Sequence, residues 1–328
     1  MSIALGLNSL TDIKFGTSQI SSVYLGNNLV WSNASYILDL YPSAHHAYSL
    51  RKLSSAYTGF CLRVRRTTTT PSATTTEVNV SFNSFNTIGL DSLITYASGA
   101  STTATNLGQF CASVVNGYTN PDGVNTNQNI LVVTWYDQSG NNKNVTQTAA
   151  GNQPRLVELG NLELSGGKVA VRFTSTSSQR LVLTDSSVPL NNVSTYALGN
   201  SLALTNNAIL SMGNVVNTNI FWLPSGNTIA YRNVNIWSNG NIANQPRLYE
   251  LICGTTVVDA YANGNLLTPT SPQTPMTGNN IIISIGLYST TGGTNVFMNG
   301  YIPEVISFVG TPLRTGIETN INSYYNVW

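Results

Sequence analysis

The chain has 328 residues, room for one large β domain or two smaller ones, and only 8% of them are charged, against roughly 25% in ordinary globular chains. Lys and Arg number 14 against 13 Asp and Glu, which leaves no electrostatic footprint for nucleic acid or an anionic membrane. No apolar run approaches the roughly 20 residues that span a bilayer, and solubility rests on the Asn, Thr and Ser that crowd the sequence.

Met1-Ser2-Ile3-Ala4-Leu5-Gly6 lacks the charged and long apolar stretches of a secretory signal, so none is expected. Residues 1–33 read as a separate small module. Ile13 to Gly16 and Ile20 to Trp31 alternate apolar and polar residues around Gly and Asn turns, the hairpin pattern. Strands of this size do not fold alone, so the module must pack on the following domain, on sister chains or on another protein. The stretch Val23-Tyr24-Leu25-Gly26-Asn27-Asn28-Leu29-Val30-Trp31 resembles a short hairpin found at the ends of many phage tail and head structural proteins. That resemblance implies docking to other virion proteins through Val23, Tyr24, Leu25, Leu29, Val30 and Trp31.

Tyr36 to Leu40 opens the large domain, taken as 34–328. Ala47 to Leu53 reads as a helical turn and a half or an irregular lead-in. Leu62 to Arg66 carries three arginines, Arg63, Arg65 and Arg66, which fit one exposed face plus a buried pair. Thr67 to Thr76, with a proline and no large apolar residue, reads as an exposed loop. Val78 to Phe82 alternates as a strand, and Leu90 to Tyr96 follows it. Leu107 to Val115 is the best helix candidate before the C-terminal region, because Leu107, Phe110, Cys111, Val114 and Val115 share a face.

Ile130 to Tyr136 is a short β-branched and aromatic run that suits a buried strand. It ends in turn chemistry at Asp137, Gln138, Ser139 and Gly140. Read from the residues alone, Asp137 and Gln138 cap a sharp polar corner. Trp135-Tyr136-Asp137-Gln138-Ser139-Gly140, followed by Val145 to Thr148 and Asn152 to Val157, resembles a signature of concanavalin A-like domains. Ala47 to Leu53 and Leu62 to Arg66, with Arg63 and Arg65, are similar to segments that open the same domain. Such domains occur in phage virion proteins and in family 54 α-L-arabinofuranosidases. The resemblance implies an all-β, concanavalin A-like jelly-roll sandwich.

Beyond Trp135, strands of four to six residues recur between Gly, Asn, Ser and Pro clusters: Val169 to Phe173, Arg180 to Leu183, Ala208 to Met212 and Asn219 to Leu223. Asn263-Gly264 between Val257 and Leu267 is the strongest hairpin signal in the chain. With Tyr249 to Cys253 beside it, this trio resembles the laminin-G-type hairpin. Gly300 to Phe308 reads as the strand that returns beside the N-terminal strand of the domain. A helix over 312–325 follows, with Thr311 as its N-cap, Pro312 at its first position, and Leu313, Ile317, Ile321 and Tyr324 on one face. Asn-Gln-Pro-Arg-Leu occurs at both 152–156 and 244–248 without wider duplication.

Cys61, Cys111 and Cys253 read as buried free thiols. The adjacent His45 and His46 are expected on opposite faces of a strand, which argues against zinc. Asp122 and Asp137 lie near asparagines but in no dense calcium loop, so no metal or cofactor is expected. Trp222, Tyr231 and Trp237, near loops, suit either sugar stacking or the sandwich core. The composition and the resemblance together point to a virion protein: a fibre, spike or decoration subunit made in the host cytoplasm. It is expected to be a homo-oligomer, a trimer if a fibre, with other virion proteins and host glycan as partners. The alternative is an arabinofuranosidase-type hydrolase. The family 54 enzymes carry an adjacent cysteine pair and an Asn-Ala-Glu segment, which this chain lacks, so no catalytic residue is assigned and no enzyme activity is expected.

Overall fold

The computed structural model describes residues 36–66, 76–112, 116–123, 127–184, 191–203, 207–213, 244–269, 272–275, 282–288 and 295–328, and the backbone of strands within 14–32, 114–115, 218–238 and at 289. The expected loop at 67–76 lies outside them except for Thr76.

One antiparallel network of 20 strands dominates, and it folds over into two facing arrays. In the first, Ala44–Ser49, Gly300–Val309, Val193–Ser201, Arg247–Cys253 and Val258–Ala262 lie side by side. In the second, Ile94–Ser98, Glu77–Val80, Leu62–Arg66, Ile130–Trp135, Val145–Thr146, Leu181–Thr184, Ile282–Ile285 and Asn207–Gly213 follow in order. Arg155–Glu158 and Val171–Phe173 join the two. Tyr48, Ala197, Tyr249, Leu251 and Val305 of the first array share a buried core with Val64, Val78, Trp135, Leu181, Leu210 and Ile283 of the second. The arrays are therefore the two layers of a β-sandwich, as the residues predict.

Burial follows what covers each face. Glu77–Val80 and Val258–Ala262 alternate buried and half-buried residues, with one face inward. Val193–Ser201 and Ala44–Ser49 are buried throughout, because two helices close their outer face. Helices α1 (Ile37–Leu40) and α3 (Arg314–Tyr325) pack Ile37, Leu38, Ile317, Ile321 and Tyr325 against Ala47, Tyr196, Leu198, Leu248, Ile306 and Phe308. Gly199 lets the layers approach closely, since a Cβ there would meet Ile209 Cδ1 at 2.6 Å.

Several local expectations change. Ala47 to Leu53 is not helical: Ala44–Ser49 is a strand, because pairing with Gly300–Val309 gives its backbone a full ladder. Helix α2 covers only Leu107–Cys111, with Asn106 Oδ1 accepting from the Gln109 N–H. Val114–Val115 instead forms a small hairpin with Tyr118–Thr119 across Asn116 and Gly117, both at positive φ. There the Asn-Gly turn outweighs helical periodicity. Helix α3 begins at Arg314 with Leu313 as a cap that makes no side-chain bond, and Leu313 is exposed. Its buried stripe is Ile317, Ile321 and Tyr325, one residue on from the expected Tyr324.

The predicted hairpin at Asn263-Gly264 is present, with φ of 48° and 76° at its two turn residues. At the N-terminal end Lys14–Phe15 pairs with Ser18–Gln19 and Ser22–Leu25 with Asn28–Ser32. Among the described residues these strands pair only with each other.

Candidate functional site

Trp135 ends its strand in the core, beside Tyr48 at 6.2 Å between ring centres. The chain then turns at Asp137, whose buried carboxylate accepts four bonds. Oδ1 takes the backbone N–H of Ala47 (2.8 Å) and Ser139 (2.9 Å), and Oδ2 takes Ser139 Oγ (2.7 Å) and the Lys143 N–H (3.0 Å). Gln138 is buried too: its Oε1 accepts from the Leu53 N–H at 2.8 Å, and its Nε2 donates to the Ser49 and Arg51 carbonyls. Gly140 sits at φ +87° within the same turn. The corner thus pins the segment 47–53 to the end of the second array. Tyr136 OH donates to Asn79 Oδ1 at 2.8 Å. On the outer face of that array Arg63 pairs with Glu77 and reaches Ser98, while Arg65 donates to Gln153 Oε1 and the Ala150 carbonyl.

The first array buries two carboxylates under α3, neither of them marked out by the sequence. Glu304 is bidentate to Arg51, at 2.8 Å from Nε and 2.9 Å from Nη2, and also accepts from Ser49 Oγ at 2.6 Å. Burial works against the Arg51 charge, and the Glu304 carboxylate more than offsets it, so the guanidinium pKa stands above its ordinary value. Glu250 is wholly enclosed beside Tyr196, its cross-strand partner. Arg314 Nη1 lies 3.6 Å from Oε2 while contacting Glu318 Oε1 directly. Burial, together with the neighbouring Glu318 carboxyl, pushes the Glu250 pKa up to about 9, against the pull of Arg314. Arg314 also stacks over Tyr261, 3.9 Å from the ring centre. The sequence signals for this cluster are the Arg314/Glu318 spacing of four on a helix and the place of Glu250 between Leu248 and Ile252 on one strand face.

Beside this cluster α3 forms one wall of an open groove of about 430 Å³, lined by Thr315, Glu318, Thr319, Asn322, Ser323 and Trp328 and closed by the Gly264 turn. Asn326 takes the left-handed conformation, φ 52°, and turns the chain back along the helix. Asn322 then clamps the returning backbone: Oδ1 accepts from the Val327 and Trp328 N–H at 2.8 and 3.1 Å, and Nδ2 donates to the Trp328 carbonyl at 2.9 Å. The Trp328 indole stands half exposed at the rim.

No known family profile matches the sequence, and none of the curated proteins does. Solved structures do. A glutamate-to-glutamine mutant of a GH54 α-L-arabinofuranosidase soaked with 4-nitrophenyl α-L-arabinofuranoside superposes with a TM-score of 0.55 at 14% identity, over 89% of this chain and 64% of that one. An arabinofuranosidase complexed with arabinofuranosyl-α-1,2-xylobiose gives 0.53 at 15% identity, over 88% and 64%. A GH54 α-L-arabinofuranosidase soaked with a cyclic sulfate inhibitor gives 0.55 at 15%, over 89% and 64%. The chain shares their β-sandwich fold. It spans just under two thirds of the length of these proteins, and at this identity the likeness is one of fold.

Other sequence candidates lie apart from this cluster or outside the described residues. Trp222, Tyr231 and Trp237 lie at or one residue from the ends of strands Thr218–Leu223, Thr228–Tyr231 and Val234–Ser238, and their side chains lie outside the described residues. So do the side chains of Val23, Tyr24, Leu25, Leu29, Val30 and Trp31. His45 and His46 do meet, with Nδ1 atoms 3.1 Å apart. A register shift opposite Ser307 and Phe308 makes His45 an extra residue and breaks the alternation that would have separated them. Asp122 is engaged by Arg66, Thr102 and Thr103. Among the described residues no three His, Cys, Asp or Glu gather as metal ligands.

Proposed function

We propose that this chain is a virion structural protein, a fibre, spike or decoration subunit, whose sandwich adheres to surface glycan without cleaving it. The observation that carries the glycan reading is the sandwich itself, which has the architecture of proteins whose solved forms hold arabinofuranosides. The virion reading rests on the resemblance of Val23 to Trp31 and of Trp135 to Val157 to phage structural proteins, and on a charge-poor, Asn/Thr/Ser-rich composition. Exposed strand edges on such a surface need cover, which favours a closed homo-oligomer, a trimer in a fibre.

The alternative, a glycoside hydrolase, draws on the same fold likeness and on two neighbouring carboxyls, Glu250 and Glu318. A glycosidase needs its pair on either side of the scissile bond, about 5 to 5.5 Å apart in retaining enzymes. Here one nitrogen of Arg314 occupies the space between the two, and Glu250 is closed to solvent. That arrangement speaks against Glu250 and Glu318 as a catalytic pair. Gold-labelled antibody against this chain should decorate intact particles, and 4-nitrophenyl α-L-arabinofuranoside should go uncleaved. Unlabelled particles would reject the virion reading; turnover abolished by Glu250→Gln would reject the non-enzymatic one.

A further inference from the structure

We infer that the groove over α3 is the glycan subsite of this chain and takes a neutral sugar ring against the indole of Trp328, an assignment that rests on the glycan-adhesion reading above. The groove is concave, and its roughly 430 Å³ falls within the range of about 300 to 1,000 Å³ usual for small-ligand sites. Its aromatic wall is preorganised. The left-handed Asn326 and the three bonds of Asn322 hold the Trp328 backbone against α3 before any ligand arrives, so little ordering is left to oppose binding. A half-exposed indole offers the apolar face on which the C–H side of a sugar ring stacks.

The helix supplies a row of hydroxyls to the lining. Thr315, Thr319 and Ser323 recur every four residues and so share one face of the helix. Thr319 Oγ1 donates to the Thr315 carbonyl at 2.7 Å, and Ser323 Oγ donates to the Asn320 carbonyl at 2.8 Å. These two hydroxyls have thus turned their hydrogens to the helix and present lone pairs outward. A wall of acceptors is suited to the many O–H donors of a sugar and unsuited to an anionic one. The nearby cation, Arg314, is spent on Glu318, Glu250 and the Tyr261 ring. The class selected is therefore a neutral oligosaccharide rather than a uronic or sialic one.

The test uses the whole chain, with maltotriose, xylotriose and arabinotriose as neutral probes and trigalacturonic acid as the acidic one, each titrated calorimetrically. At least one neutral probe should bind and the acidic one should not. Trp328→Ala should weaken the best neutral probe at least 10-fold, Trp328→Phe should retain part of the affinity, and Thr319→Val should cost about 3-fold, each with the parent's circular-dichroism spectrum. Unchanged affinity in folded Trp328→Ala, or in Thr319→Val and Trp328→Phe together, would overturn the groove while leaving glycan adhesion standing. A preference for the acidic probe would overturn the neutral class. Failure of the parent to bind any of the four would overturn this inference, and failure on a broad array of immobilised host glycans would overturn the adhesion reading with it.

Discussion

Asp137 and Glu250 are both buried carboxyls in strand-end and strand settings, yet the chain treats them oppositely. Asp137 accepts four bonds, three of them from backbone N–H groups that cannot rotate away. In Asp137→Asn the amide nitrogen must face either the Lys143 N–H or those of Ala47 and Ser139, donor against donor. Unfolding in urea should show a loss of about 1–3 kcal/mol, and a midpoint equal to the parent's would refute the corner's role. Glu250 has no such set of backbone donors, and burial, with the Glu318 carboxyl beside it, raises its pKa to about 9. A raised folded pKa means that the folded state binds the proton more tightly than the unfolded chain. The stability this contributes is complete below the ordinary carboxyl range and drains away as pH climbs toward 9. Glu250→Gln should therefore leave the melting temperature at pH 5 nearly unchanged and raise it at pH 8.5, by on the order of 2 kcal/mol in stability. A variant that melts below the parent at pH 8.5 would mean that Arg314 holds Glu250 ionised.

At the scale of elements, legibility follows the range of the interaction that decides each one. The hairpin at Asn263-Gly264 is written in two adjacent residues, and both take the positive φ its turn requires. The strands Asn207–Gly213 and Arg247–Cys253 are legible from β-branched and aromatic runs between turn residues. Ala44–Ser49 is not, because its partner Gly300–Val309 lies some 250 residues away and supplies the ladder that local pattern cannot show. The Arg51–Glu304 pair is hidden for the same reason, with a sequence separation of 253. Helix α3 is half legible: its apolar period is plain, but the Thr311-Pro312 start misleads by two residues, and its stripe turns with it. The groove depends on a feature no periodicity marks, the left-handed residue Asn326 that ends the helix. Asn326→Ala forces a Cβ-bearing residue without a local side-chain bond into that conformation and should cost about 1 kcal/mol, whereas Asn326→Gly should be neutral. Equal melting temperatures for the two variants would argue that the turn-back of Trp328 is set elsewhere.

At the scale of the whole molecule, the N-terminal hairpins and the sandwich pair separately among the described residues. Among the described residues, the sandwich core and its helix-covered face are assembled from residues 37 onward, and the strands within 14–32 hydrogen-bond only to one another. Two short hairpins are not stable alone, and the sequence from Val23 to Trp31 carries Val23, Tyr24, Leu25, Leu29, Val30 and Trp31, more apolar area than a free arm should expose. At about 25 cal/mol per Å², burying a few of these side chains on a partner would contribute several kcal/mol, enough to decide whether a subunit stays attached. On the virion reading proposed above, deleting residues 1–33 should therefore leave a soluble protein with the parent's β spectrum and cooperative melt that no longer incorporates into particles. An insoluble or unfolded remainder would place the hairpins in the fold of their own chain, and a folded remainder that still incorporates would move the attachment surface onto the sandwich.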